Sequence, residues 1–283
     1  MKIIKEVLKY ILVFSLVVCI IIIGIIKIFS LTILNKEYIM MKFEEENFYQ
    51  GIYELVEENF QHYIEQSGLD DSVLSDICSL EKVKQDIDLI LSNIYNGASE
   101  EIDTTSIAEK LNSNIENNNI KNRENELAIQ QYIEYICQEY NNTIIHTGYE
   151  NQLNKLYINI EDKAERLTKI CLTIIILDVI CIILINNKEI FKNLHEIGIA
   201  MFSSGTFYII VCKVINSKIE IQGIKMFNDV FSSMLVKIIQ EVMNKIIFLG
   251  IGLVVIALIC IIINAILVSI NVAKDERKIK WKK

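Results

Sequence analysis

The chain has 283 residues and a formal net charge of -8, and 52% of its residues are hydrophobic. This apolar content, with a mean hydropathy of +0.35, excludes an ordinary soluble protein of this length and indicates that part of the chain lies in lipid. The charge is unevenly divided: residues 35–166 hold 27 acids and 10 bases, whereas the remainder holds 9 acids and 18 bases. Because the acidic portion would repel a phosphate backbone, no nucleic acid partner is expected.

Residues 1–34 are predicted to form a short tail and the first membrane span. Three lysines precede the uncharged run Ile11–Ile26, and the apolar stretch continues to Leu34. This start resembles a signal sequence, but no small-residue cleavage site follows it and its length suffices to cross a bilayer. The segment is therefore interpreted as an uncleaved signal anchor.

Residues 35–167 are predicted to form an acidic domain of several amphipathic helices. Apolar residues recur at helical spacing over 48–64, 73–94, 129–140 and 153–167. Gly68 is expected to end the first of these helices, one of Asp70, Asp71 or Ser72 to cap the second, and Ser106 with Glu109 to form a capping box. The Asn-rich tract 112–122 is interpreted as a loop or a frayed helix end, and Asn141, Asn142 and Gly148 as a turn.

The links between this domain and the membrane are also predicted to be helical. No Pro or Gly lies between Leu34 and Gly51, and none interrupts the stretch from 153 into the second span. Both links are therefore expected to be continuous rods that transmit motion. The layout resembles the helical sensing domains of chemoreceptors and sensor kinases in architecture, without a shared motif.

Three further spans are predicted, at residues 168–186, 197–216 and 246–273. A short cytoplasmic loop, 187–196, joins the second and third, and a basic cytoplasmic tail, 274–283, ends the chain. Residues 217–245 form an amphipathic outer segment that lies on the outer leaflet, packs under the outer domain or leads into the last span. Lysines near both chain ends predict cytoplasmic termini and a domain outside the cell membrane. The third run is short and semi-polar, so a three-span chain is the alternative.

The polar residues inside the spans are the candidate site. Asp178 stands in the second span, where an ionisable group is costly and usually faces a partner or water. A hairpin of the second and third spans would bring Ser203, Ser204 and Thr206 level with it, either as packing contacts or as part of an ion or proton site. Asn264 can add a hydrogen bond between spans. Small residues that favour close helix contact are Ala200, Ser204, Gly250, Gly252, Ala265 and Ser269.

The sequence contains no motif of an enzyme or of a cofactor site. The three histidines lack the spacing of a zinc site, and neither a phosphate-binding loop nor a calcium loop is present. We therefore expect no catalytic, cofactor-binding or metal-binding residues. Cys78 and Cys137 fall on different helices of the domain, and they are either a disulfide or two buried thiols.

These patterns predict an all-α chain, a four-span helical membrane protein with a large helical-bundle outer domain between spans 1 and 2. The leading functional hypothesis is a binding or sensing protein whose outer domain contacts a ligand or another protein. The alternatives are an accessory subunit of a transport, secretion or envelope complex, and a small transporter or channel that uses Asp178. The expected partners are the lipid bilayer and another membrane or extracytoplasmic protein.

Overall fold

The structure is a computed structural model that describes residues 2–67, 69–98, 100–120, 126–144, 150–186, 190–218 and 229–280. Over these residues the chain is helical, with a single 3-10 turn at Asp71–Val73 and no strand. The helices are α1 Lys2–Ser30, α2 Lys36–Glu45, α3 Phe48–Ser67, α4 Leu80–Asn96, α5 Thr105–Asn117, α6 Glu126–Ile144, α7 Glu150–Ile185, α8 Ile190–Lys218 and α9 Asp229–Lys280. The all-helical prediction is confirmed.

The chain divides into two compact units. The first, called the base here, comprises Met1–Thr32, Glu161–Gly223 and Lys237–Lys283, and the second, called the helical domain, comprises Ile33–Ile160 and Ile224–Val236. Four stretches of the described helices are long and apolar enough to cross a membrane: Ile3–Ser30, Leu153–Ile185, Lys192–Asn216 and Asp229–Ile270. The chain is therefore a membrane protein, and the semi-polar third run qualifies as a span.

Within the base, α1 and α8 run parallel. Their contacts advance together along both helices, from Lys9 with Glu196 to Val17 with Ser204 and then to Ile20 with Tyr208. The first step is about two helical turns and the second about one, so the same face of α1 follows α8 over three turns. A cluster of Val13, Leu16, Ile182 and Ala200 adds α7 to this contact.

α8 and α9 run antiparallel and approach each other closely at glycines. A Cβ on Gly205 would lie 2.5 Å from the carbonyl oxygen of Gly250, and one on Gly250 would lie 2.8 Å from the carbonyl oxygen of Gly205. Gly198 packs near Ala257 and Cys260, so residue numbers rise on one helix as they fall on the other. The alternating helix directions are those that four successive crossings require.

Only some of the predicted small residues make helix contacts in the base. Ala200 and Ser204 are buried, but they face α1, and Gly250 faces α8. Gly252 has open space around it, and Ala265 and Ser269 are exposed. The close helix contact expected at Gly252, Ala265 and Ser269 is therefore not made by the described residues of this chain.

The helical domain has a core made by α3, α4, α5 and α6. The fully buried residues repeat at helical spacing along each helix, and they include Ile52, Val56, Ile90, Ile107, Leu111, Ile115, Ile136, Tyr140 and Ile144. Burial of each such side chain stabilises the fold by about 1.5–3 kcal/mol before conformational entropy is counted. The predicted apolar stripes of these helices are thus confirmed as core.

The link after the first span is not the continuous rod that the sequence predicts. α1 ends at Ser30, and the side chain of Asn35 caps α2 by accepting a hydrogen bond of 3.0 Å from the Tyr38 amide. The hydroxyl of Tyr95 donates to the Ile33 carbonyl oxygen at 2.6 Å, which satisfies a backbone group in the turn. A local cap and a distant tyrosine therefore break the helix without any Pro or Gly.

Two predicted helix starts are also wrong. The stripe that begins at Val73 is not one helix, because Asp70 caps only the 3-10 turn and α4 starts at Leu80, where Ser79 is the cap. The capping box at Ser106 is absent, since α5 already begins at Thr105, whose amide donates to the Asp103 carboxylate. Within the Asn-rich tract, α5 continues to Asn117 and then turns.

The later helices agree better with the sequence. α7 is unbroken from Glu150 to Ile185, as predicted for the second link. α9 leads directly into the last span, and Val230 and Phe231 also pack on α3, against Gly51 and Phe48. The expected turn at Asn141 and Asn142 lies inside α6 instead. The predictions that concern Gly68, Gly148, residues 187–189 and residues 219–228 lie outside the described residues.

Candidate functional site

Asp178 lies in the interior of the base. Its side chain is only 6% exposed, and its Oδ2 atom has no hydrogen-bond partner among the described residues. It sits on the same face of α7 as Cys171, seven residues earlier, and near Ile182 one turn later. A buried carboxyl oxygen without a partner is costly in lipid, so this position is the most unusual one in the spans.

The hydroxyl groups expected around Asp178 lie elsewhere. The Ser204 hydroxyl is within hydrogen-bond distance of two backbone carbonyl oxygens, Ala200 at 2.8 Å and Val17 at 3.3 Å. Ser203 is exposed and Thr206 is half-buried, and no hydrogen bond joins either of them to Asp178 in the described part of the chain. The predicted cluster is therefore wrong, because α8 presents Ser204 to α1 rather than to α7. The buried Oδ1 atom of Asn264 in α9 likewise has no hydrogen-bond partner in the described part of the structure.

The thiols of Cys19 and Cys171 meet near Asp178. Both residues are buried, the two thiols lie close to each other, and the carboxyl of Asp178 is near Cys19. This pair links α1 to α7. The sequence does not predict this pair, because no local pattern indicates that residues 152 positions apart face each other. The seven-residue spacing of Cys171 and Asp178 is the one local signal for this site.

A second polar cluster joins the start of α1 to the start of α8. Lys9 forms ion pairs of 2.9 Å with Glu6 and 3.2 Å with Glu196, whose side chain is 8% exposed. In the same part of the base, Asn186 donates to the Asn193 side chain at 3.0 Å. In the sequence Lys9 serves as an orientation signal only, and no local pattern singles out Glu196.

The helical domain has its own buried polar group, centred on Asp86. The Lys82 ammonium contacts both Asp86 oxygens, at 2.6 and 2.8 Å, and the Tyr140 hydroxyl donates to Oδ2 at 2.5 Å. Burial and the neighbouring Cys78 and Asp86 raise the pKa of Tyr140 far above its ordinary value. Burial also raises the pKa of the Cys78 thiol, to about 11. The cluster therefore holds Cys78 as an unreactive thiol at neutral pH.

Cys78 and Cys137 are free thiols in the structure. The Cys78 thiol donates to the carbonyl oxygen of Ser79, while the Cys137 thiol faces the carbonyl oxygen of Thr104. Of the two alternatives, the structure therefore has two separate thiols and no disulfide between Cys78 and Cys137.

Among the described residues, no group of three or more His, Cys, Asp or Glu side chains is arranged to hold a metal ion. No family model, no curated protein and no solved structure matches this chain.

Proposed function

We propose that this protein is a membrane-embedded sensor or binding protein. Its helical domain lies outside the cell, contacts an extracytoplasmic ligand or protein, and passes the effect of binding to the base. The observation that carries the proposal is the continuity of α7, a 36-residue helix that contributes residues to both units. A helix moves largely as one body, so a shift at one end changes contacts at the other.

The two ends of α7 make specific contacts that could respond to such a shift. In the helical domain, the Asn154 side chain donates to the carbonyl oxygen of Ile94 at 2.7 Å, and Tyr157 packs edge-on against Tyr95. In the base, Cys171 meets Cys19 and Ile182 belongs to the cluster around Leu16. The same helix therefore connects α4 with α1.

The coupling is testable without a known ligand by using the native cysteines as a reporter. In membranes that contain the full chain, a short bis-maleimide that enters the bilayer should link Cys19 to Cys171, and peptide mass spectrometry measures the yield. Asn154→Ala removes the hydrogen bonds to α4 and should change this yield at least twofold. Asn159→Ala is the matched control, because Asn159 is exposed and, among the described residues, its side chain donates to the Lys155 carbonyl oxygen of its own helix.

A helix-breaking substitution tests whether α7 carries the coupling between the two units. Asp162→Pro, placed where the two units divide α7, should abolish the effect of Asn154→Ala on the yield, since Pro interrupts a helix. Equal yields in the native chain, Asn154→Ala and Asn159→Ala would refute the coupling.

Binding itself is tested by cross-linking in intact cells followed by mass spectrometry. A chain that captures no protein through its helical domain would refute the protein-binding form of the proposal.

A second candidate function is that of an accessory subunit in a membrane complex. The exposed surface of α9 favours it, because Gly252 has open space around it and Ala265 and Ser269 are small and exposed in the described structure. Small residues on a lipid-facing surface let another helix approach closely. Gly252→Leu should then release a co-purifying membrane protein in mild detergent, whereas a chain that purifies alone before and after the change would rule this candidate out.

A further inference from the structure

One face of α7 carries a long apolar seam. Its positions alternate in steps of three and four residues over ten sites: Leu153, Leu156, Ile160, Lys163, Leu167, Ile170, Ile174, Leu177, Cys181 and Leu184. This is the seven-residue repeat by which two helices pack side by side with a slight left-handed twist. Nine of the ten residues are apolar, and Lys163 is the exception.

Within the described part of the chain, nine of the ten seam residues are exposed and Ile174 is half-buried. The contacts of α7 with its own chain use a neighbouring face, through Asn154, Tyr157, Cys171, Asp178 and Ile182. In contrast, the exposed fractions are 45% for Leu153, 57% for Leu156, 48% for Ile160 and 44% for Leu167. Some partner must shield these side chains wherever lipid does not.

Lipid cannot shield the whole seam. A helix of 36 residues is about 54 Å long, and the hydrocarbon core is only about 30 Å thick. The uncharged part of α7 begins at Ile170, so the charged half with Leu153, Leu156 and Ile160 lies in water or among headgroups. Large aliphatic side chains aligned along one exposed helix face mark an interaction site.

We propose that the seam of α7 binds the seam of α7 in a second copy of this chain, so that the protein is a parallel dimer. Copies of one membrane protein are inserted in the same orientation, and a two-fold axis along the membrane normal therefore sets their α7 helices parallel. Two parallel helices share a heptad seam along their entire length when they carry the same repeat in the same register. A second copy meets this condition for all five heptads, in water and in lipid.

The charges favour contact through this helix in particular. Residues 35–166 carry 27 acids and 10 bases, so two helical domains repel each other over most of their surfaces. The stretch 150–169 is different, with four acids and four bases. Two pairs on its surface, Asp162 with Arg166 and Glu165 with Lys169, are already formed within the helix. α7 is therefore a segment where two copies meet without net repulsion.

Native Cys181 offers a direct test, because it lies on the seam and is exposed. A bis-maleimide that enters the bilayer, applied to membranes containing the full chain, should produce a species of twice the 32.7 kDa chain mass, and Cys181→Ser should abolish it. The matched control is Cys260→Ser, which alters a half-buried cysteine of α9 and should leave the dimer yield unchanged. A product that survives Cys181→Ser, or no dimer at all, would overturn the proposal.

The half of the seam outside the lipid is tested with a photoreactive residue. Placed at Leu156, it should cross-link to a second copy of the chain; placed at Ile158, which is also exposed but points away from the seam, it should not. Mass spectrometry of the adduct identifies the partner. Adducts with a different protein at Leu156, or equal self-adducts at both positions, would contradict a dimer through the seam.

Lys163 provides a change that should strengthen the contact. Two lysines would face each other across the dimer, and Lys163→Leu removes this repulsion and extends the apolar seam. We expect at least a tenfold lower dissociation constant in detergent, measured by fluorescence energy transfer between labelled chains. Lys155→Leu, a change of the same chemistry at an exposed residue off the seam, is the control. Equal dissociation constants in both variants and the native chain would count against the seam. The dimer cross-links and dissociation constants do not depend on whether the helical domain binds a ligand or another protein.

Discussion

Lys9 and Glu196 form an ion pair of 3.2 Å between the first and third membrane helices, although they are 187 residues apart in the chain. Lys9 and Glu196 differ in whether each has a second ion-pair partner. Lys9 also contacts Glu6 at 2.9 Å, whereas Glu196 is buried and Lys9 is its one ion-pair partner among the described residues. Removal of Lys9 should therefore destabilise the base by a different amount than removal of Glu196.

Lys9→Met should destabilise the base by roughly 3 kcal/mol, since it leaves the Glu196 carboxylate buried and uncompensated. Glu196→Gln should cost only about 1 kcal/mol, because Lys9 keeps Glu6. The double variant should recover most of the loss. Reversible unfolding of the full chain in mixed detergent micelles measures all three free energies, and a Glu196→Gln variant as unstable as Lys9→Met would show that the asymmetry is wrong.

The glycines of α8 and α9 should tolerate substitution very differently. Gly205→Ala and Gly250→Ala each place a methyl group against a facing backbone carbonyl, so each should lower the free energy of unfolding by about 1–3 kcal/mol. Gly252→Ala, two residues from Gly250 with open space around it, should have no such cost. The same unfolding measurement tests this pattern, which fails if all three variants behave alike.

Asp178→Asn should leave the base at least as stable as the native chain. The amide keeps the size of the carboxyl but cannot ionise, and Oδ2 makes no hydrogen bond to any described residue that the change would remove. A loss of stability of more than about 1 kcal/mol would reveal a partner for this oxygen. If the protein transports ions or protons through this residue, flux into vesicles should fall in the variant, and unchanged flux would exclude that function for Asp178.

The helical domain should lose stability at alkaline pH. Burial raises the pKa of Cys78 to about 11, and burial with the nearby Tyr157 raises that of Tyr95 to about 12, whereas their ordinary values are 9.0 and 10.0. A raised pKa means that the folded state holds its proton more tightly than the unfolded state. The stabilisation is therefore complete below about pH 9 and is lost as the pH rises through 11 and 12.

Helical circular dichroism of the full chain, followed together with tyrosinate absorbance, measures this loss. Tyr140→Phe serves as the probe of the Asp86 cluster. It removes a hydrogen bond to a buried carboxylate and should lower stability at pH 7 by about 1.5–3 kcal/mol, while it removes one of the groups whose ionisation drives alkaline unfolding. A native chain whose stability is constant from pH 8 to 12 would contradict both the burial of Tyr95 and that of Cys78.

The sequence predicts the spans and most helices well because their signals are local. Long uncharged runs such as Ile246–Ala273 and stripes such as Ile129–Tyr140 depend only on the residues within them. The neighbours of Asp178 depend instead on which helices pack together. A simple hairpin of the second and third spans predicts that Ser204 lies beside Asp178, whereas Ser204 contacts α1. The pairs Cys19–Cys171 and Lys9–Glu196 are missed for the same reason. The break at Asn35 had a local signal, an N-cap residue before Lys36, but its tyrosine partner lies in α4.

The parallel pairing of α1 with α8 also dictates the order of assembly during biosynthesis. Lys9 enters the membrane early, but Glu196 is translated 187 residues later, which at about 5–20 residues per second takes roughly 10–40 s. Throughout this interval the first helix has neither its ionic contact nor its serine and tyrosine contacts from α8. The first helix therefore remains without these contacts until the C-terminal half of the chain arrives.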